Sequence, residues 1–229
     1  MFDNTPVLGR SESALEATNK VLRNTYALLG LTMIPTVIGA FMGMNINFAF
    51  AQQHPFIFAI GAIAVMYGLF AAINANRNSS FGVVLLLGLT FLLGLMLGPI
   101  LQHALHLSNG AQIVGLAAAG TGIILFSLAS FAATSKKDFS FMSKFLLIGI
   151  VLLIVASLAN IFLQIPAMTL ALSGVGVILF SGFILYDVSR IVNGGETNYI
   201  MATLSLYMSI YNLFTSLLQL LMGLMGSDD

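Results

Sequence analysis

Asp187 is the residue around which this sequence could do chemistry. It sits inside an apolar run, Phe183-Ile-Leu-Tyr-Asp-Val-Ser-Arg190. An acid at the centre of a bilayer costs about 2.5–3.5 kcal/mol on insertion scales, and less toward the interface. Such a residue calls for a partner, a wet cavity or a proton. Arg190, three residues on, stands one helical turn away. Further along, Ser205, Ser209, Asn212 and Ser216 recur at i, i+4, i+7 and i+11, which puts them on one stripe of a helix. Thr203 and Tyr207 flank that stripe. Two readings stand. One is a hydrated, proton-responsive site of Asp187, Ser209 and Asn212. The other is a helix-end carboxylate paired with Arg190, beside hydroxyls that serve as interhelical hydrogen-bonding glue.

Other chemistries find little support. His54, His103 and His106 fall on one side of the chain's spans, and His103 and His106 are three residues apart. A zinc site needs three or four converging ligands, and neither CxxC nor HExxH is present. Cysteine is absent, which removes thiolate nucleophiles and disulfides. There is no nucleophile elbow, phosphate loop or pair of intramembrane aspartates. The expectation is a non-enzymatic protein without a cofactor. Asn160 is a further polar residue in an apolar run, expected to be buried and structural.

The elements that must position Asp187 follow from composition. Of 229 residues, 59% are hydrophobic and 7% charged, against about 25% charged in a soluble domain. So little charge cannot cover a water-exposed surface. The net charge is zero, and no basic patch with interleaved aromatics suggests nucleic acid. Seven apolar segments emerge: Asn24–Asn45, Pro55–Asn74, Phe81–Leu105, Ala111–Ala133, Ser143–Leu163, Met168–Val192 and Ala202–Met225. Each approaches the ~20 residues a helix needs to cross a bilayer. They lack the alternation of a membrane β-barrel. The fold class expected is an all-α seven-transmembrane-helix bundle, with residues 1–23 as an N-terminal arm and 24–229 as one membrane domain.

Charge placement predicts direction. With the N-terminus in the cytoplasm, Arg10, Lys20, Arg23, Arg77, Lys136, Lys137, Lys144 and Arg190 all fall inside, which is every basic residue of the chain. Basic residues near helix ends are retained on that side. Asp228 and Asp229 then lie outside, and Asp187 lies in the cytoplasmic half. The arm opens without a basic-then-apolar signal peptide. Ser13 and Glu16 have the spacing of a capping box and predict a short helix there, lying along the membrane and running into helix 1.

Small residues predict where helices touch. Gly94 and Gly98 in helix 3, and Gly115, Ala118 and Gly122 in helix 4, have the spacing that lets membrane helices approach closely. Gly174 and Gly182 in helix 6 are a weaker version. Pro35 and Pro99 free the carbonyls of Leu31 and Leu95 and predict bends in helices 1 and 3.

Several segments carry a family resemblance: Val21-Leu-Arg-Asn-Thr-Tyr26, Gly98-Pro-Ile-Leu101, Lys136-Lys-Asp-Phe-Ser-Phe141, Ala159-Asn-Ile-Phe-Leu-Gln164, Ile184-Leu-Tyr-Asp187, and Gly194-Gly-Glu-Thr-Asn-Tyr-Ile200 leading into Ser205. In this order and spacing the chain, from about residue 20 onward, resembles the Bax inhibitor-1 (transmembrane BAX inhibitor motif) family. Its bacterial YccA-type branch is the nearest in pattern. The resemblance implies a bundle with helix 7 at the centre of the other six. It implies one of two functions. The first is an inner-membrane protein that binds and restrains the protease FtsH with its HflK/HflC partners. The second is a pH-sensitive calcium leak in which aspartates on helices 6 and 7 share a proton and an arginine at the end of helix 2 helps hold the pore closed. Asp187 matches the helix-6 aspartate. The helix-7 aspartate position falls on Ser209, and the arginine position on or beside Asn76, next to Arg77. A lone carboxylate lacks the two-acid switch, which favours the protease modulator.

Overall fold

Seven long helices form among the described residues of the computed structural model, and no strand. The structure describes residues 7–47, 49, 53–135 and 137–226, with backbone alone at 7–15 and 55. In chain order the helices are α1 (Val7–Met44), α2 (Pro55–Ala75), α3 (Ser80–His106), α4 (Gly110–Ser135), α5 (Met142–Leu163), α6 (Pro166–Val192) and α7 (Tyr199–Met225). All seven are long and apolar enough to cross a membrane. Six agree with the expected spans to within three residues at each end. The exception is the start of α1. The helix begins at Val7 and runs unbroken into the span. Ser13 therefore lies inside it, so the predicted capping box is corrected, while the arm is helical and runs into helix 1 as expected. No Gly or Pro interrupts residues 10–24, so nothing stops the helix from extending.

Lipid tails are as apolar as leucine, so burial does not drive these helices together. Close packing and hydrogen bonds do. The tightest contact is between α1 and α3, where two glycine pairs face each other. A Cβ on Gly94 would lie 2.2 Å from the Thr36 carbonyl oxygen, and one on Gly98 2.2 Å from the Gly43 carbonyl carbon. Reciprocally, a Cβ on Gly39 would lie 2.3 Å from the Phe91 oxygen and one on Gly43 2.2 Å from the Leu95 oxygen. Leu95 is the residue whose carbonyl Pro99 leaves without a helical donor. It points at Gly43, where only hydrogen occupies the space, the geometry of a Cα–H···O contact.

The helix-4 stripe is a correction. A Cβ on Gly115 or Gly122 would meet nothing within 4 Å, and Gly115 and Ala118 are exposed. The packed face of α4 is instead Ile113, Ala117 and Thr121. Gly174 likewise faces open space, whereas Gly182 packs on Leu146, and Gly176, one turn from Phe180, abuts Ser216.

α7 is the central helix and neighbours α1, α2, α3, α4 and α6, but not α5. The resemblance implied six neighbours; at backbone distance α5 rests on α6 alone. Tyr207 of α7 is almost wholly buried. Its hydroxyl bonds the Thr36 hydroxyl at 2.7 Å, and Tyr211 donates to the Leu93 carbonyl at 3.2 Å. These bonds fix α7 against α1 and α3 and turn its serine stripe the other way, toward α6.

Candidate functional site

The rotation of α7 is set at the residue just before it. Asn198 caps the helix, its Oδ1 accepting from the Ile200 and Met201 amides at 3.1 Å each. Its Nδ2 donates to the Arg77 carbonyl and to Asn78 Oδ1, both at 2.9 Å. The cap thus joins the α2–α3 and α6–α7 connectors. A second clasp lies alongside. Ser189 Oγ donates to the Lys137 carbonyl at 3.0 Å and accepts from the Phe139 amide at 3.1 Å, and Asn193 Nδ2 donates to the same carbonyl at 3.2 Å. So the three connectors after α2, α4 and α6 are pinned at one end of the bundle. In the α4–α5 connector the Ser140 hydroxyl and amide hold the exposed Asp138 carboxyl below its ordinary range.

With that phase, Ser209 meets Asp187. Ser209 Oγ donates to Asp187 Oδ2 at 2.9 Å, and both residues are buried. Asn212 and Ser205 stand on the same side of α7. Together with Phe180, Phe183 and Arg190 of α6, Phe70 of α2 and Ile150 of α5, they enclose a cavity of ≈ 430 Å³. Asn212 Nδ2 gives one of its two hydrogens to the Met208 carbonyl at 2.8 Å, which fixes the amide on this side of the helix. The sequence-predicted group of Asp187, Ser209 and Asn212 is therefore brought together on two adjacent helices.

Two other candidates stand differently. Arg190 lines the cavity, but its ion pair is with Glu196, at 3.1 Å, and its Nε donates to the Gly195 carbonyl at 3.3 Å. Of the two readings, the i+3 ion pair with Asp187 does not form: the α6–α7 connector folds Glu196 back onto the guanidinium. Arg77 is exposed, contributes only its backbone carbonyl to the clasp, and does not line the Asp187 cavity. Asn160 is half-buried at the end of α5 rather than deep in the core. It braces the α5–α6 turn, donating to Thr169 Oγ1 at 2.7 Å and accepting from the Ile165 amide at 3.1 Å.

The sequence reading missed Gln219. It continues the Ser205 stripe at i+14 and accepts from Ser173 Oγ at 3.2 Å. The periodicity that picked out Ser216 would have found it one turn later. Among the described residues no three His, Asp or Glu side chains converge on a metal site.

The sequence family described as inhibitor of apoptosis-promoting Bax1 matches residues 18–227. The chain belongs to the Bax inhibitor-1 family. A Vibrio cholerae relative, named only as an uncharacterized membrane protein, is 44% identical over 229 residues, 99% of this chain and 100% of its own length. An Escherichia coli K12 relative named modulator of FtsH protease YccA is 40% identical over 209 residues, 91% of this chain and 92% of its own. A second Escherichia coli relative, named inner membrane protein YccA, has the same identity and coverage. The Bax inhibitor-1 membership and the seven apolar helices make this a multi-pass membrane protein.

Proposed function

We propose that this chain is an inner-membrane regulator, not an enzyme, which binds a membrane-bound AAA protease of the FtsH type and restrains it in membrane-protein quality control. The observation that carries this is the 40% identity, across nine-tenths of both chains, to the Escherichia coli protein named as a modulator of that protease. HflK and HflC are the accessory partners expected with it. The N-terminus lies in the cytoplasm and the C-terminus in the periplasm, so that basic residues stay inside. The first nine helical residues, before the apolar part of α1 opens at Glu16, then project about 14 Å from the membrane at 1.5 Å per residue. They offer the protease a short, partly charged helix with Arg10 and Glu12 as its charges. Purification from native membranes in mild detergent at native expression should recover protease subunits. Deleting residues 1–14 should cut that recovery about tenfold, the loss expected from one or two good contacts. If the full chain recovers no protease subunit, the proposal is wrong.

A pH-sensitive calcium leak gated around Asp187 takes second place, and one observation favours it. Cavities of ≈ 430, ≈ 310 and ≈ 530 Å³ follow one another along α7 and share Asn212 and then Gln219. Two features weigh against it. Ile154, Leu158 and Ile161, which line the middle cavity, are 51%, 54% and 60% exposed, so it opens sideways on lipid. The site also holds one carboxylate rather than two. In liposomes loaded with a calcium dye, Asp187→Asn is expected to leave flux and its pH dependence as in the unsubstituted chain. Flux that follows pH and disappears in Asp187→Asn would put the leak first.

A further inference from the structure

At the opposite end of the bundle from the clasped connectors, two cavities of contrasting chemistry join. One, of ≈ 500 Å³, is a slot between α2 and α3 whose lining residues are all apolar. Its α2 wall is Ile57, Gly61, Val65 and Leu69, spaced four apart along one helix face. Ile57 to Leu69 spans about 18 Å at 1.5 Å per residue, close to the ~15 Å depth of one leaflet's hydrocarbon. Gly61 leaves the wall open: a Cβ there would meet nothing within 4 Å. The other cavity, of ≈ 560 Å³, shares Ile46 with the first and is lined by Asn45, Asn47, Gln102, His103 and His106, with no acid among its walls.

We propose that this pair of cavities is a phospholipid site, with one acyl chain in the α2–α3 slot and the phosphate against His103 and His106. The two imidazoles stand in the last turn of α3, exposed and without a hydrogen-bond partner among the described residues. Gln102 ties α3 to α1 by donating to the Met44 carbonyl, which fixes the floor beneath them. A purely apolar guest would fill the slot but leave the nitrogen-rich pocket unused. A partner helix, about 10–12 Å across with its side chains, has no use for a polar pocket at the slot's end. A phospholipid has the shape and the polarity of both, because its phosphate accepts hydrogen bonds where its chains need none.

The test is retention. The full-length chain is reconstituted in nanodiscs of phosphatidylethanolamine and phosphatidylglycerol, released, and weighed by native mass spectrometry under graded delipidation. Gly61→Phe plugs the slot. Gly68→Phe is its control, on the same helix, also facing open space, and outside the slot. The unsubstituted chain and Gly68→Phe should keep one phospholipid after the bulk is stripped. Gly61→Phe should keep about tenfold less. Joint replacement His103→Ala with His106→Ala, both exposed and safe for folding, should also lose about tenfold, the worth of one charge-assisted hydrogen bond. Equal retention by Gly61→Phe and Gly68→Phe would overturn the slot. Unchanged retention in the histidine pair, or an adduct whose mass carries no phosphate, would overturn the phospholipid assignment.

Discussion

Gly94→Val will separate α1 from α3. The substituted Cβ would stand 2.2 Å from the Thr36 carbonyl oxygen, with the Thr36 Cα and carbonyl carbon only 3.0 and 2.9 Å away. These are backbone atoms of a continuous helix, so no side chain can swing aside. Overpacking a well-filled core typically costs about 1–3 kcal/mol, and more where the neighbours are rigid. Here the upper end is expected, because separating the helices also draws Gly39 and Gly43 away from the Phe91 and Leu95 carbonyls. The reference is Gly122→Val, whose Cβ would meet nothing within 4 Å and whose cost should stay within about 0.5 kcal/mol. Unfolding both in mixed micelles against rising SDS measures the difference. Coincident transitions would mean that the two glycine faces are not held together as described.

Ser209→Ala is the second large effect. It removes the only hydroxyl within bonding distance of Asp187 among the described side chains and leaves a buried carboxyl with one fewer donor. Leaving a buried polar group without its partner costs about 1–3 kcal/mol, so a loss of that size is expected in the same titration. In an Asp187→Asn background the serine faces an amide in place of the carboxyl, and its removal should cost less. The cycle should therefore give a coupling of about 1–2 kcal/mol, within the range for residues in direct contact. If the two substitutions add to within about 0.5 kcal/mol, the pair is not a functional unit and Ser209 merely bonds its own helix, through the Ser205 carbonyl at 3.1 Å.

What the sequence made legible was whatever depends on one helix at a time. Hydropathy located each span because its length is imposed by the bilayer. Helical period put Ser209 and Asn212 on one stripe, and the stripe had only one intramembrane acid to face. Contacts between helices were legible by half. Four-residue spacing marks Gly94 and Gly98, Gly115 and its neighbours, and Gly39 and Gly43 alike, but it does not say which of them faces lipid. The α4 stripe was therefore misassigned, and the α1 pair was overlooked although it carries the same signal. The partner of Arg190 was not legible for another reason. That partner, Glu196, is set by the path of the α6–α7 connector, and that path depends on Gly194 at φ +74°, the left-handed region that glycine enters freely. Arg77 is placed by the Asn198 clasp, a contact between residues more than a hundred positions apart.

The unbroken run of α1 makes it a lever. Its fulcrum is where it leaves the bundle, at the buried Thr25, whose carbonyl accepts from Thr203 of α7 at 3.3 Å. From there to Val7 is about 27 Å at 1.5 Å per residue, so a tilt of about 5° at the fulcrum would swing the tip by about 2 Å. A partner gripping the arm would therefore work against the most closely packed pair of helices in the molecule. A small change of angle at that pair would reach the partner enlarged.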